Sequence, residues 1–366
     1  MSDPLLSLIA LTLVPQIGPV QARILLQHFE PEEIFRARRN QLQSIEGIGP
    51  ERASAILGFR NFSRAESELR FIEKRKIKAI QISDPNYPKR LLHCYDPPVL
   101  LYLAGEADLN EQQMLAIIGT RQPTENGRMW TERIVEELSG NNITILSGLA
   151  MGVDAIAHRT ALKHQLKTIG VLAHGLDRIY PSQHGKLAAE IERTGGLLTE
   201  FVHGTEPDRY HFPARNRIVA GMADATLVIE SGEKGGSLIT ASLANQYNRD
   251  VFALPGRMQD EKSRGCLKLI RQHQSELFIS TQDMLTHLGW GEQPAPRKQA
   301  TLSLFPELTE TEDKIVTLLK QDEALHQDQI GWKLNLSAAQ LSSCLLQLEM
   351  KGVVVSLPGK KFQAKL

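Results

Sequence analysis

Between residues 79 and 254 short apolar runs alternate with helical stretches, and no other feature of the chain narrows its fold so far. The candidate strands cover 79–82, 99–104, 115–119, 144–147, 168–173, 197–201, 225–230 and 250–254. Strands this apolar need cover on both faces, and parallel neighbours need a crossover helix between them. The alternation therefore predicts an α/β fold: a Rossmann-like, doubly wound, mainly parallel sheet with helices on both faces. Ligands of such sheets bind beyond the carboxyl ends of the strands, so the loops there carry the informative residues.

Five loops qualify. Gly119-Thr120-Arg121 closes one strand, and S-G-L-A-M-G-V-D covers 147–154. Tyr180-Pro181 is the third, H-F-P-A-R-N-R-I-V-A-G at 211–221 the fourth, and I-E-S-G-E-K-G-G-S-L-I-T-A at 229–241 the fifth. Gly119, Gly148 and Gly236 let backbone N–H groups approach an anion, and Thr120 and Ser237 add hydroxyls. Helices starting near Gly152 and Gly236 turn positive dipole ends toward it. Arg121, Arg215 and Arg217 bring permanent charge and planar guanidinium groups. This chemistry suits phosphate. A dinucleotide cofactor is not expected: G-x-G-x-x-G is missing after the first strand, and no acidic residue stands at the ribose position. G-K-[ST] is missing as well, so no P-loop is expected, and no cofactor is assigned.

Read in order, G-T-R, S-G-L-A-x-G-V-D-x-x-A-H, T-I-x-V-L-x-x-G-L-D-x-x-Y-P, F-P-x-R-N-R-I-x-A-G and G-S-L-I-T-A closely resemble the DprA/Smf family of DNA-processing proteins, over roughly residues 80–280. The resemblance implies a homodimeric single-stranded-DNA-binding protein without catalytic turnover. It also implies protection of incoming DNA and loading of the RecA recombinase during natural transformation, with single-strand-binding protein as a further partner. Carried over by position, Arg121 matches the arginine of the family's G-S-R loop. Gly236-Ser237 matches its glycine-serine loop, and Phe212, Arg215, Asn216 and Arg217 match its F-P-x-R-N-R stretch. Four residues depart from the family pattern. Met151 stands where a basic residue is usual, Thr120 replaces a common serine, and Ala173-His174 replaces a glycine-rich pair.

Each singled-out residue also has a plainer reading. Arg121 lacks a local acid, which favours phosphate over a salt bridge. Of Arg215 and Arg217, one is expected on DNA and the other on a carboxylate such as Glu200 or Glu230. Asn216 is read as locking its loop ahead of reading a base, and Phe212 as a stacking platform or a core residue. Arg209 joins the DNA-binding set by position only. Asp154 and His158 are spaced i, i+4, but no third ligand is placed, so Asp154 is read as a helix cap and no metal is assigned.

Residues 41–57 hold a helix end, Gly47-Ile48-Gly49, and a second helix from Pro50, which looks like a helix-hairpin-helix unit. Residues 11–26 repeat it with one glycine fewer. Residues 1–75 are therefore expected to form a SAM-like helical domain, either holding DNA phosphate at its turns or acting by packing alone; Arg52 is the one basic residue well placed beside the second turn. Residues 76–290 form the Rossmann-like domain and 291–308 a linker rich in proline and charge. Residues 309–366 read as three helices and a hairpin, a winged helix. The stretch 305–366 has seven basic and eight acidic residues, which favours a protein contact over duplex DNA.

Whole-chain composition bounds these readings. Basic and acidic residues balance at 42 each, so a nucleic-acid site has to be a local patch. Cys94, Cys266 and Cys344 are far apart, without a C-x-x-C pair, which fits a reducing compartment. Asp3 precedes the apolar stretch 4–14 where a signal peptide would carry Lys or Arg, and no run reaches about 18 apolar residues. A cytoplasmic location without membrane contact is expected. The competing function is a Rossmann-like nucleotide hydrolase of the phosphoribohydrolase type, whose loop reads P-G-G-x-G-T-x-x-E. The comparable stretch 234–241 lacks the glutamate.

Overall fold

In the computed structural model, which describes residues 3–290, 308–321, 324–357 and 359–364, the N-terminal repeat folds as two helical hairpins. They are built from α1 (Pro4–Thr12), α2 (Pro19–Leu26), α3 (Pro31–Ile34), α4 (Arg39–Gln43), α5 (Pro50–Gly58) and α6 (Phe62–Arg75). Asp3 caps α1 by accepting from Leu5 N at 2.9 Å. Pro19 and Pro50 open α2 and α5, where the missing N–H has no helical acceptor in any case. The glycine missing from the first unit is replaced by Gln16, whose φ of 65° repeats the 82° of Gly47. Ile17 and Ile48 are buried plugs behind the two turns.

Nine strands follow. They are β1 (Lys78–Gln81), β2 (Leu100–Gly105), β3 (Gln113–Ile118), β4 (Ile143–Ser147), β5 (Thr168–Val171), β6 (Gly196–Thr199), β7 (Ala225–Val228), β8 (Asp250–Ala253) and β9 (Glu276–Leu277). All eight expected strands are present, with ends moved by at most two residues. The ninth has two exposed residues and so leaves no apolar signal. The helices between them are α7 (Lys89–Leu92), α8 (Glu125–Glu137), α9 (Val153–Lys163), α10 (Gly185–Thr194), α11 (His211–Met222), α12 (Gly236–Gln246) and α13 (Arg264–Arg271), and α14 (Thr281–His287) follows the last strand.

The sheet order is β1-β2-β6-β5-β4-β3-β7-β8-β9, parallel from β6 to β9 and antiparallel across β1-β2-β6. From β3 the chain winds out to β4, β5 and β6, then crosses back to β7 on the other flank of β3. Loops after β3 and β7 therefore diverge to opposite faces and open a crevice between them, as expected at a topological switch point. One face buries α7, α11, α12 and α13 against the sheet, with Met114, Ile118, Ile218 and Val228 in its core. The other buries α8, α9 and α14 around Leu115, Ile145 and Leu227. The helical hairpins share a third core with α10 and β2 through Tyr102, Ile191 and Leu197.

The chain divides into two compact units, Met1–Gly291 and Glu292–Leu366. The second holds α15 (Glu310–Gln321), α16 (Gln327–Leu334) and α17 (Ala338–Met350), with β10 (Leu325–His326), β11 (Val354–Leu357) and β12 (Lys361–Ala364) ordered β10-β12-β11. This is a winged helix around Ile315, Leu319, Ile330, Leu345 and Val354. Ser337 caps α17, accepting from Gln340 N at 3.4 Å. Lys351, the cation at the end of α17, donates to the buried Glu312 carboxylate at 2.7 and 2.8 Å. The expected linker, apart from Leu308, lies outside the described residues.

Candidate functional site

The loops singled out in the sequence meet at the carboxyl ends of β3, β4 and β7. They enclose a cleft of about 460 Å³ lined by Gly119, Thr120, Arg121, Gly148, Arg209, Phe212, Arg215, Asn216, Gly236 and Ser237, among others. Ten of the eleven expected residues are therefore neighbours. The eleventh is elsewhere.

The β3 loop is held from below. Thr120 N donates to Glu230 O at 2.8 Å, and Val153 N to Thr120 O at 3.2 Å. Gly152 has φ 80°, and a side chain there would begin 2.3 Å from Thr120 O, so only glycine lets α9 start against this loop. The Glu230 carboxylate, 6% exposed, accepts from Thr124 N at 2.8 Å and from the Thr124 hydroxyl. It thus ties the β3–α8 loop to β7 and is not the partner of an arginine. Arg121 is exposed, with its guanidinium carbon 5.1 Å above the Phe212 ring, and no ion pair links it to a carboxylate among the described residues.

Arg215 and Arg217 separate as their spacing on α11 predicts. Arg215 lies under the cleft, 5% exposed, donating to Val171 O at 2.6 Å, to Gly148 O, and to Asn216 Oδ1 at 3.0 Å. A side chain on Gly148 would begin 2.1 Å from Arg215 Nη1, which is why residue 148 has none. Burial lowers the guanidinium's proton affinity, and Asp154 opposes that shift. Arg217 points away, toward β6. It pairs with Glu200, donates to Asp96 O, and lies 4.0 Å from Asp96 Oδ2. Its assignment to the DNA set is corrected on this geometry: both ends of the guanidinium are engaged outside the cleft. Burial raises the Glu200 carboxyl, and Arg217 counters it.

Asn216 lies within α11, not in a loop, and its Oδ1 accepts from the neighbouring Arg215 Nε at 3.0 Å. Ser237 donates to Ser231 Oγ at 2.8 Å and is nearly buried, which makes its hydroxyl a strut. What α12 presents at this end is the N–H groups of Gly236 and Ser237, since Leu238 N already donates to Gly235 O at 3.1 Å. Arg209 stacks its guanidinium 4.6 Å over the exposed Tyr210 ring. Phe212 is half-buried, 6.1 Å from Tyr180, and the Tyr180–Pro181 peptide is cis.

Asp154 and His158 do not face each other. Asp154 accepts from Gly148 N at 3.1 Å and Ala150 N at 3.4 Å, holding the β4 loop. Burial pushes its carboxyl up, and Arg215 pulls it back. His158 packs its Nδ1 2.7 Å from Thr168 Oγ1, which itself donates to Ile145 O, so Nδ1 carries the hydrogen. Complete burial pushes the imidazole down to about 3. Among the described residues no group of three His, Cys, Asp or Glu is placed to hold a metal. Sequence reasoning missed Ser231, which supports the α12 loop; a lone serine three residues past a strand gives no signal.

The helical hairpins offer less. Arg52 donates to Gly47 O at 2.6 Å and to Gln16 O at 3.3 Å, so it staples the two turns together. The first turn faces a small cavity beside Val99, Glu200 and Phe201 of the sheet domain. No described helix is long and apolar enough to cross a membrane.

Comparison with known proteins follows the same layout. A family model described as DNA recombination-mediator protein A matches residues 78–289. The DprA winged helix domain matches 293–360, and a SAM-like helix-hairpin-helix tandem matches 8–58. Protein Smf of Synechocystis sp. is 38% identical over 388 positions, covering 96% of each chain. Protein Smf of Escherichia coli is 33% identical, covering 86% of this chain and 84% of its own. DNA processing protein DprA of Streptococcus pneumoniae is 40% identical, covering 58% of this chain and 75% of its own. Among solved structures, the X-ray structure of the S. pneumoniae protein has a TM-score of 0.68 at 32% identity, covering 78% of this chain and 98% of that one. That of Helicobacter pylori DNA processing protein A, described for its single-stranded DNA binding mode, has a TM-score of 0.54 at 34% identity, covering 58% and 95%.

Proposed function

Since the chain belongs to the DprA/Smf family of DNA recombination-mediator proteins, we propose that its cleft holds the backbone of single-stranded DNA. On this reading the protein protects incoming single strands in the cytoplasm and loads RecA onto them during transformation and recombination. The observation that carries the reading is the convergence, in one open crevice, of a helix start, an aromatic ring and an arginine without an ion pair among the described residues. Arg121 meets a phosphate, the Gly236 and Ser237 N–H groups at the start of α12 meet it from the other wall, and Phe212 gives a base a stacking surface. Arg215 supplies field from below while keeping the β4 loop in place.

In the winged helix, α17 carries no Lys or Arg between Ala338 and Met350, which favours a protein contact over duplex reading for that helix. Single strands should therefore bind more tightly than duplex of equal length, with little sequence preference. Gel shifts with both forms test this, and equal affinity would remove the reading. The hydrolase alternative predicts base release from nucleoside monophosphates. The loop 234–241 has no carboxylate to act as acid, so none is expected.

A homodimer is part of the proposal. β9 is the free edge of the sheet, with Leu277 (43% exposed) in it and Ile279 (68%) just after it, and α13 adds the half-buried Leu267. Two copies joined there would present two clefts to one strand, which raises avidity. RecA and single-strand-binding protein complete the proposed partners.

A further inference from the structure

A second charged surface lies across the loop that closes the cleft. Ser231, Gly232, Gly235 and Gly236 of that loop line the cleft, whereas Glu233 lines a groove of about 380 Å³ along α13, with Arg264, Leu267, Lys268 and Arg271. Loop and helix are locked together. Ser231 N donates to Lys262 O at 2.7 Å, and Gly265 N donates to Ser231 O at 2.9 Å. A side chain on Gly265 would begin 2.6 Å from Gly232 O, so glycine lets α13 start against the loop. Arg264, Lys268 and Arg271 fall on one face of α13, at i, i+4 and i+7. Arg264 and Arg271 are exposed and Lys268 is half-buried. None of the three has a side-chain hydrogen bond or ion pair among the described residues, and Glu233 does not pair with them. Lys262 is spent elsewhere, donating to Gln122 O. Like charges four apart repel on a helix. Lys268 and Arg271 gain from the dipole at the last turn, but Arg264 opens the helix, where a cation loses by it. The stripe therefore does not serve the fold; it calls for an anion.

We propose that the groove along α13 continues the path of the single strand beyond the cleft, with Arg264, Lys268 and Arg271 facing its backbone phosphates. The inference rests on the single-strand reading above and adds to it the direction in which the strand leaves. A strand held by Gly236 and Ser237 at the start of α12 passes over the 232–235 turn and meets Arg264 first. From there the stripe runs about 10 Å along the helix. Its cations touch phosphate and read no base. No aromatic side chain lines the groove, so the contribution is electrostatic, indifferent to sequence and sensitive to salt. An acidic protein surface would meet the same cations. The shared loop favours the strand, whose phosphates are already held on its other side.

The test uses the full-length protein and oligothymidylates of about 6 and about 20 nucleotides, near the lower limit of single-strand site sizes and beyond the upper one. One variant combines Arg264→Gln, Lys268→Gln and Arg271→Gln; the other is Glu233→Lys. On the long strand the triple variant should flatten the slope of log K against log salt by about 2, at about 0.7 for each phosphate contact. Raising salt from about 50 to about 200 mM should then cost wild type about 20-fold more affinity than the variant. Glu233→Lys adds a cation to the groove and should steepen the long-strand slope by about 0.7. Glu233 is outside the edge proposed for self-association, so this gain does not depend on the dimer. On the short strand, which the cleft alone can hold, both variants should match wild type. If the triple variant keeps the wild-type slope on the long strand, or Glu233→Lys leaves it unchanged, the track is refuted while the cleft stands, and the stripe falls to an acidic protein partner. Equal weakening of both strands in the triple variant also refutes it, because the residues then act through the fold. If wild type binds neither strand, the single-strand reading fails first.

Discussion

Replacing Arg121 by alanine isolates the central claim, because binding and stability are expected to part company there. The side chain is exposed, has no ion pair among the described residues, and touches the fold through its stack on Phe212 at 5.1 Å. An exposed cation–π contact is worth about 0.5–1 kcal/mol. In a unit of nearly 300 residues, that moves Tm by no more than about 2–4 °C. A charge-assisted hydrogen bond to phosphate is worth about 1.5–3 kcal/mol, a roughly 10- to 140-fold loss of single-strand affinity. Losing one phosphate contact should also flatten the dependence of log K on log salt by about 0.7. Fluorescence anisotropy across a salt series, with a melting curve on the same sample, gives all three quantities. Arg121→Lys sharpens the test: it should restore the salt slope and only part of the affinity, because a point charge replaces a planar fork. A variant that melts far below wild type, or that binds as tightly with the same slope, would show that Arg121 has a structural role.

Arg217→Ala should do the opposite, destabilising the protein by about 3 kcal/mol because Glu200 is left in a nearly buried site without its cation; affinity per folded molecule should hold, and a selective loss of binding would return Arg217 to the site. Gly152→Ala should both destabilise and weaken binding, since the new Cβ meets Thr120 O at 2.3 Å and the φ of 80° disfavours any side chain; wild-type affinity would mean the β3 loop does not carry the contact. Burial depresses the His158 imidazole in the folded protein to about 3, from its ordinary 6.5. The unfolded chain therefore binds the extra proton, and the stability that the neutral ring contributes is complete above about pH 6.5 and declines as pH falls toward 3. Between pH 8 and pH 5 this amounts to about 2 kcal/mol. His158→Asn keeps a donor for Thr168 and cannot titrate, so urea melts should show that difference removed; an unchanged pH dependence would contradict the assignment.

The parts of this protein legible in its sequence are those that burial writes into periodicity. β3, β4, β7 and β8 are apolar on both faces, so their positions could be read without a partner strand in view. β9 could not, because a two-residue edge strand pairs through its backbone and leaves no pattern in side chains. Loop glycines were legible for a related reason. Gly148 and Gly152 mark places where another group occupies the space a side chain would take, and a run of such places after strand ends locates a crevice.

What the sequence does not reveal is direction. Arg215 and Arg217 have the same chemistry two residues apart on one helix, and only the turn of α11 sends one beneath the cleft and the other toward Glu200. The same ambiguity affected Glu230. As a carboxylate at a strand end it was a fair partner for an arginine, but the hydroxyl and amide of Thr124 reach it first. In both cases the structure resolves one question: which charged groups are already neutralised within the fold. Once Arg215, Arg217, Glu230, Asp154 and Arg52 are assigned to internal partners, Arg121 remains as a cation in the cleft with no ion-pair partner among the described residues. A balanced chain with 42 charges of each sign can attract a polyanion only where such pairing is incomplete, so the cleft beside Arg121 is where an electrostatic contact is to be expected.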